Sequence, residues 1–138
     1  MSPPDVILIG ALLLALVTVE SGGWFLTRVV RGLAPANALQ TGFFRAGHAH
    51  AGVLLILSIA VLGVIHAAAL DGFWLWLARV GVPIAAILMP AGFFLSVLGR
   101  DPKRPNALIV LVWIGAGLLA AALVTAGIGL IAGGVADL

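Results

Sequence analysis

The feature that most constrains this chain is a series of four long apolar stretches that carry almost no charge. Of the 138 residues, 63% are apolar and only 9% are charged, whereas a soluble domain has about a quarter of its residues charged. Such a chain has too few polar side chains to cover a surface that faces water. A helix needs about 20 apolar residues to cross the hydrocarbon core of a bilayer, so the sequence predicts membrane-spanning helices surrounded by lipid.

Short polar turns divide the chain into these helices. Gly32 and Pro35 end the first stretch, Asp71 and Gly72 mark the second turn, and the charged segment 99–105 forms the third. The first apolar stretch lacks a basic start and is too long for a signal peptide, so we expect it to be the first span. We predict an all-α membrane four-helix bundle running up-down-up-down, with both termini on the same side. A single domain over residues 1–138 is expected to hold helices at about 6–30, 38–70, 73–98 and 106–133.

The basic residues predict how these helices are oriented. Six of the seven Lys and Arg residues flank the first or the third turn, and they are Arg28, Arg31, Arg45, Arg100, Lys103 and Arg104. Only Arg79 lies near the other side. The positive-inside rule places both basic turns in the cytoplasm and both termini outside a cell membrane. The basic surplus is therefore assigned to membrane orientation, and nucleic-acid binding is not expected.

Ionisable side chains within the spans are the candidates for function, because a charge at the membrane centre costs roughly 2.5–3.5 kcal/mol or more. All three histidines, His48, His50 and His66, lie on the second helix, and Glu20 is the acidic residue deep in a span. His48 and His50 are about 200° apart around the helix, so they cannot chelate one ion together. His66 lies about 27 Å from His48, and we expect it to be a hydrogen-bonding residue near the interface.

Depth places Glu20 in the same layer as the histidine pair. If Arg28 and Arg45 are level on antiparallel helices, Glu20 and His50 differ in depth by about 4.5 Å. The histidine that Glu20 faces stays open at this point. Glu20 is a candidate metal ligand, or it pairs with Arg28, a histidine or a backbone donor.

Small residues surround the histidine pair. Every residue from 46 to 52 other than His48 and His50 is Ala or Gly. A heme ligated from a helix needs its porphyrin plane close to the backbone, which small neighbours permit, but tight helix packing needs them equally. The pair is therefore interpreted either as heme or metal ligands or as structural hydrogen-bonding groups. Met89 and Trp113 are expected to fill the core, and the pair at residues 22–23 is too short a signal to assign.

The four-helix plan and the motif His48-Ala49-His50 resemble one segment of the catalytic subunit of heme–copper oxidases. That subunit is built of three arcs of four helices, and the second helix of its third arc carries a His-x-His motif. The resemblance implies that this chain is a single arc standing alone, with His48 as a high-spin and His50 as a low-spin heme ligand. The chain lacks the adjacent histidine pair that helps bind copper, and it has no tyrosine, which argues against oxygen reduction.

Together these features predict a homo-oligomeric membrane protein, a trimer before a dimer, that binds a cofactor through His48 and His50. The expected cofactor is heme b or copper, with zinc as a further candidate, since imidazole suits both metals. Glu20 would be an additional metal ligand or a neighbour of one. Ligation of one cofactor by two histidines is expected to cross between subunits. Any activity would be redox, and whether the chain is an enzyme stays open. The alternatives are a structural or assembly subunit of a membrane complex and a small proton or ion transporter.

Cysteine labelling tests the predicted topology, because the chain has no cysteine of its own. In intact cells, the variant Lys103→Cys should resist a membrane-impermeant thiol reagent, whereas Asp71→Cys in the second turn should react. After the cells are permeabilised, the introduced cysteines of both variants should react with the reagent. Ready labelling of Lys103→Cys in intact cells would reverse the orientation.

Overall fold

The computed structural model describes residues 1–136 and 138, and it consists of four long helices. They are α1 (Pro3–Val30), α2 (Ala38–Val64), α3 (Gly72–Ser96) and α4 (Val110–Ala136). Short 3-10 turns follow α2 at Ile65–Ala67 and precede α4 at Ala107–Ile109. No strand occurs among the described residues. The all-helical prediction is confirmed, and all four helices are long and apolar enough to cross a membrane.

The observed bounds of α1 and α2 differ from the predicted ones. α1 begins at Pro3, because Ser2 Oγ donates to the Asp5 carboxylate at 2.6 Å and proline is tolerated in a first helical turn. α2 ends six residues before the predicted position 70. There the Ala69 N–H donates to the Gly129 carbonyl of α4 at 2.9 Å, a bond that requires the chain to leave the helix. The second turn is therefore held against α4.

The helices pack largely in chain order, with α1 on α2, α2 on α3 and α3 on α4. The main core draws on all four helices through Leu12, Leu54, Leu55, Leu62, Ala86, Met89 and Val112. Within the most apolar 18-residue segment of each helix, 50% of the residues of α3 are buried, but only 6% of those of α1. α3 is therefore the central helix, and α1 is the most peripheral one.

The two predictions about individual core residues have different outcomes. Met89 is buried in the main core, as predicted. The prediction for Trp113 is wrong, because its side chain is 73% exposed. The preceding residue, Val112, takes the inward position, and one step along an α-helix turns the next side chain by about 100°. Trp113 therefore points to the outer surface of α4.

Glycine lets α3 and α4 approach each other closely. A Cβ added at Gly92 would lie 2.7 Å from the backbone nitrogen of Val112, and one at Gly115 would lie 2.6 Å from Met89 Cγ. A methyl group at Gly92 would collide with the backbone of α4, and one at Gly115 would displace the Met89 side chain. The contact between α3 and α4 is thus close at both places.

Polar side chains at the start of α2 join the first turn to the third. Asn37 Nδ2 donates to Asp101 Oδ1 at 2.8 Å. The buried Gln40 amide donates to the carbonyls of Val97 and Gly99 at 3.1 and 3.0 Å. These carbonyls follow the end of α3, where helical partners run out. The two turns that carry most of the basic residues therefore meet at one end of the molecule.

The Asp101 carboxylate in this network is sensitive to pH. Its hydrogen bond from Asn37, and then the neighbouring Lys103 ammonium, hold the pKa of Asp101 below its usual range. A lowered carboxyl pKa stabilises the fold above the unfolded value of about 4, and the stabilisation is lost as pH falls through the lowered pKa. The contact between the two turns is consequently complete at neutral pH.

An ion pair connects the start of α1 with α3. Arg79 Nη2 donates to Asp5 Oδ2 at 3.2 Å, and Arg79 Nε lies 3.1 Å from Oδ1. Nε does not form a second hydrogen bond. The Asp5 side chain is 3% exposed, whereas that of Arg79 is 29% exposed, so the pair lies at the edge of the packed interior. Arg79 therefore has a structural partner that the sequence analysis did not identify.

The close contact between α3 and α4 predicts different effects for two glycine substitutions. Gly92→Ala should lower the free energy of unfolding by about 1–3 kcal/mol, the usual cost of overpacking. Gly117→Ala on α4 is the matched control, because a Cβ there would meet nothing within 4 Å. Denaturant unfolding of the two variants in the same detergent makes the comparison. Equal stability of both variants would contradict the close approach.

Candidate functional site

The two histidines of the His-x-His motif lie against different helices, as their spacing on α2 requires. A Cβ added at Gly22 of α1 would lie 3.2 Å from His48 Nδ1, and one at Gly23 would lie 3.5 Å from His48 Nε2. The His50 ring instead packs on Phe93 of α3, with ring centroids 4.9 Å apart. Both side chains are half-buried. The two imidazoles therefore cannot bind one ion within a single chain.

The pair Gly22–Gly23 forms a slot on α1 that holds the His48 ring. Two consecutive residues without side chains leave room for an imidazole between the helix axes, and a larger residue at Gly22 would displace the ring. The sequence alone gives this pair no role, because its role depends on which residue of α2 faces it. His48 is thus packed against its own α1.

A hydrogen bond determines which nitrogen of His50 is available to a ligand. His50 Nδ1 lies 2.8 Å from the carbonyl oxygen of Ala46, one turn earlier on α2. A carbonyl oxygen only accepts, so Nδ1 carries the proton and donates it. In the neutral ring, Nε2 then has a free lone pair. Proteins orient metal-binding histidines in this way, with the other ring nitrogen donating to a backbone carbonyl or a carboxylate.

Glu20 lies at the depth of the histidine pair, but its side chain is exposed. A Cβ at Gly52 would lie 4.0 Å from Val19 Cγ1, and the slot at Gly22 faces His48. These two contacts set the register of α1 on α2 and place residue 20 opposite residues 50–51. The ion pairs found among the described residues do not include Glu20. The structure thus places Glu20 in the predicted layer without bringing its carboxylate to a histidine.

The described part of the chain does not by itself form a complete metal site. Within residues 1–136 and 138, no group of three or more His, Cys, Asp or Glu side chains lies close enough to hold a metal ion. A bare zinc or copper ion usually takes three or four protein ligands, whereas a heme takes one or two axial ligands. His50, with a free Nε2 and alanines on both sides, has the chemistry of one axial ligand.

The second half of α1 carries exposed polar side chains among its apolar residues. The Thr18 and Thr27 hydroxyls donate to carbonyls of their own helix at 2.6 and 2.9 Å, so the helix satisfies them. Glu20 has no such bond among the described residues. A charged side chain at the centre of a bilayer costs roughly 2.5–3.5 kcal/mol or more, and ionisable residues within membrane spans are by default candidates for function.

His66 does not join these residues. It lies in the 3-10 turn Ile65–Ala67 and is exposed. Phe93 does join them, although the sequence analysis did not identify it. Its position in an apolar helix gives no signal by itself, and the contact with His50 depends on the register between α2 and α3.

Comparison of the chain with protein-family models, curated proteins and solved structures finds no match. The resemblance to a heme–copper oxidase arc therefore stays a prediction that depends on the His-x-His motif and the four-helix plan. The chemistry of the site is that of the His50 and His48 imidazoles and the groups around them.

The hydrogen bond of His50 predicts its tautomer. In protein labelled with ¹⁵N-histidine, the neutral His50 ring should show a protonated Nδ1 and an unprotonated Nε2, because the Ala46 carbonyl requires a donor. NMR of the ring nitrogens measures this, and His50→Ala assigns the signal. The exposed His66 provides the comparison within the same sample. A neutral His50 protonated at Nε2 would contradict the geometry.

Proposed function

We propose that this chain is a homo-oligomeric membrane protein that binds heme between subunits through His50. One observation carries the proposal: Nδ1 of His50 is engaged by the Ala46 carbonyl, which leaves Nε2 oriented and free. Ala49 and Ala51 leave space beside the ring, and Phe93 supports it from α3. When bound, heme would supply one-electron redox chemistry.

Heme suits one available imidazole better than a bare ion does. One His50 would provide one axial ligand of each heme, and in a trimer the second would come from a different residue of the neighbouring subunit, because two identical side chains pair only about a two-fold axis. A copper or zinc ion would need several imidazoles to converge, as three His50 side chains would on the axis of a trimer. Glu20 from a neighbouring chain would then be an additional ligand or would orient one. The bare-ion version is therefore the alternative within the same proposal.

His48 has a different part in this proposal. Its ring rests on the glycine slot of its own α1, so a cofactor would have to enter between α1 and α2 to reach it. In the oxidase resemblance this residue corresponds to a high-spin heme ligand. His48 would therefore serve a site separate from that of His50.

The proposed membrane placement follows the basic turns. The helices run up-down-up-down through the cell membrane, with both termini outside and the turns around Arg31 and Lys103 in the cytoplasm. The hydrogen bonds of Asn37 and Gln40 support the grouping of those two turns at one end. The excess of basic residues there supports the cytoplasmic side.

The exposed α1 supports the oligomer. Only 6% of its most apolar window is buried, and Glu20 lies exposed in its middle. A neighbouring subunit packed on α1 would remove this carboxyl from lipid. Closed cyclic symmetry lets every subunit do so equally, and the oxidase plan of three arcs favours a trimer.

The same exposure of α1 favours a second candidate, a structural or assembly subunit of a larger membrane complex. In that case another protein covers α1, and the histidines are packing groups. Large subunits that co-purify with a colourless, metal-free protein would support this candidate. A colourless protein without partners would leave a proton or ion transporter that uses Glu20.

Substitution of single histidines tests the proposal in protein purified in mild detergent. The wild type should show a Soret band and contain iron by elemental analysis. His50→Ala should lose the low-spin spectrum, because it removes the axial nitrogen, and His66→Ala should keep it, because His66 lies more than four helical turns away. A metal without a Soret band would favour the bare ion.

Native mass spectrometry of the same sample tests the assembly. The expected result is a single closed oligomer, a trimer before a dimer, whose mass includes the cofactor. His50→Ala should lose the cofactor mass and stay oligomeric, since α1 still needs cover. A protein that is monomeric and colourless, and that keeps its stability when His48 and His50 are both alanine, would overturn the proposal.

A further inference from the structure

The geometry at the end of α1 points to a binding site for an anionic phospholipid with two phosphate groups, centred on Arg31. This inference is independent of the histidines, because it concerns the basic turn and not the layer that holds His50.

Two pockets meet at this end of the molecule. Each has a volume of about 350 Å³, and both are lined by Thr27 and Arg31. Arg28 lines the first pocket and Arg45 the second. Volumes of roughly 300–1,000 Å³ are typical of small-ligand sites. Each pocket thus combines Arg31 with one further arginine and a threonine.

The three arginines are available to a phosphate. The ion pairs among the described residues are Arg79 with Asp5 and Lys103 with Asp101, so none of them uses an arginine of the first turn. The Arg28 guanidinium lies 5.0 Å from the centre of the Trp24 ring, a cation–π contact that leaves its N–H groups free. Guanidinium groups bind phosphate oxygens with paired hydrogen bonds. Arg28 and Arg31 can bind one phosphate group, and Arg31 and Arg45 can bind a second. This arrangement fits a ligand that carries two phosphate groups.

Apolar side chains beside the arginines identify the ligand as a lipid. Trp24, Val30 and Leu33 are 65%, 67% and 63% exposed and line the same pockets. Tryptophan is typical of the membrane–water interface, so the guanidinium groups lie at headgroup level, with apolar surface for acyl chains next to them. The second pocket lies between α1 and α2, and basic pockets between helices on the cytoplasmic side of a membrane bind headgroups of this kind. The first pocket extends it along α1 and the turn after it.

Lipid binding to purified protein tests the inference. Delipidated wild-type protein is titrated with diphosphatidylglycerol, phosphatidylglycerol, phosphatidylcholine or inorganic phosphate, and native mass spectrometry counts the bound molecules. Diphosphatidylglycerol should bind most tightly. Arg31→Gln should weaken it by more than the roughly fivefold that one surface charge contributes, because Arg31 lines both pockets.

Arg104→Gln is the matched control, since it removes the same charge from the third turn. It should reduce binding by much less than Arg31→Gln. Arg45→Gln, a second variant within the site, should weaken diphosphatidylglycerol and leave a Soret band of the protein unchanged. Equal losses in Arg31→Gln and Arg104→Gln would overturn the site, since only general surface charge would then act. Equal binding of phosphatidylglycerol would overturn the two-phosphate ligand, and displacement by millimolar phosphate would identify a site for the free anion and overturn the lipid.

Discussion

The cost of an unpaired polar group in hydrocarbon is the constraint on which the rest of this structure depends. Asn37 and Gln40 reach across to the third turn, where Gln40 satisfies carbonyls that α3 leaves open. The buried carboxylate of Asp5 is paired with the guanidinium group of Arg79. The hydroxyl groups of Thr18 and Thr27 donate hydrogen bonds to backbone carbonyls of α1. Glu20 differs from these groups, because its exposed side chain has no hydrogen bond or ion pair among the described residues.

Central and peripheral helices have different roles under this constraint. α3 packs closely on α4 through glycine and carries Phe93 toward α2 on another side. α2 sits between α1 and α3 and presents one histidine to each. Most of the surface of α1 is not covered by the other helices of the chain. The candidate site is therefore held by a well-packed pair of helices, while the helix beside it is open to neighbours.

The sequence was sufficient to predict four helices long and apolar enough to cross a membrane and the divergence of the two histidines, because periodicity and length follow from helix geometry alone. It was not sufficient for features that depend on register between helices. A role for Gly22–Gly23 becomes visible only when the structure shows His48 opposite this pair. A role for Phe93 likewise depends on its contact with His50. Trp113 shows the same limit, because α4 is apolar all round and its sequence does not tell which face is inward. The end of α2 depended on a distant carbonyl at Gly129.

The hydrogen bond from His50 to the Ala46 carbonyl has a consequence for how such a site persists through evolution. The acceptor is a peptide group, which every residue type supplies equally, and it carries no proton that changes with pH. Replacement of Ala46 by another helix-forming residue would leave the ring oriented as it is. Selection on the orientation of this ring would then act on the histidine itself and hardly on the side chain at position 46. The orientation could therefore persist while the surrounding sequence diverged.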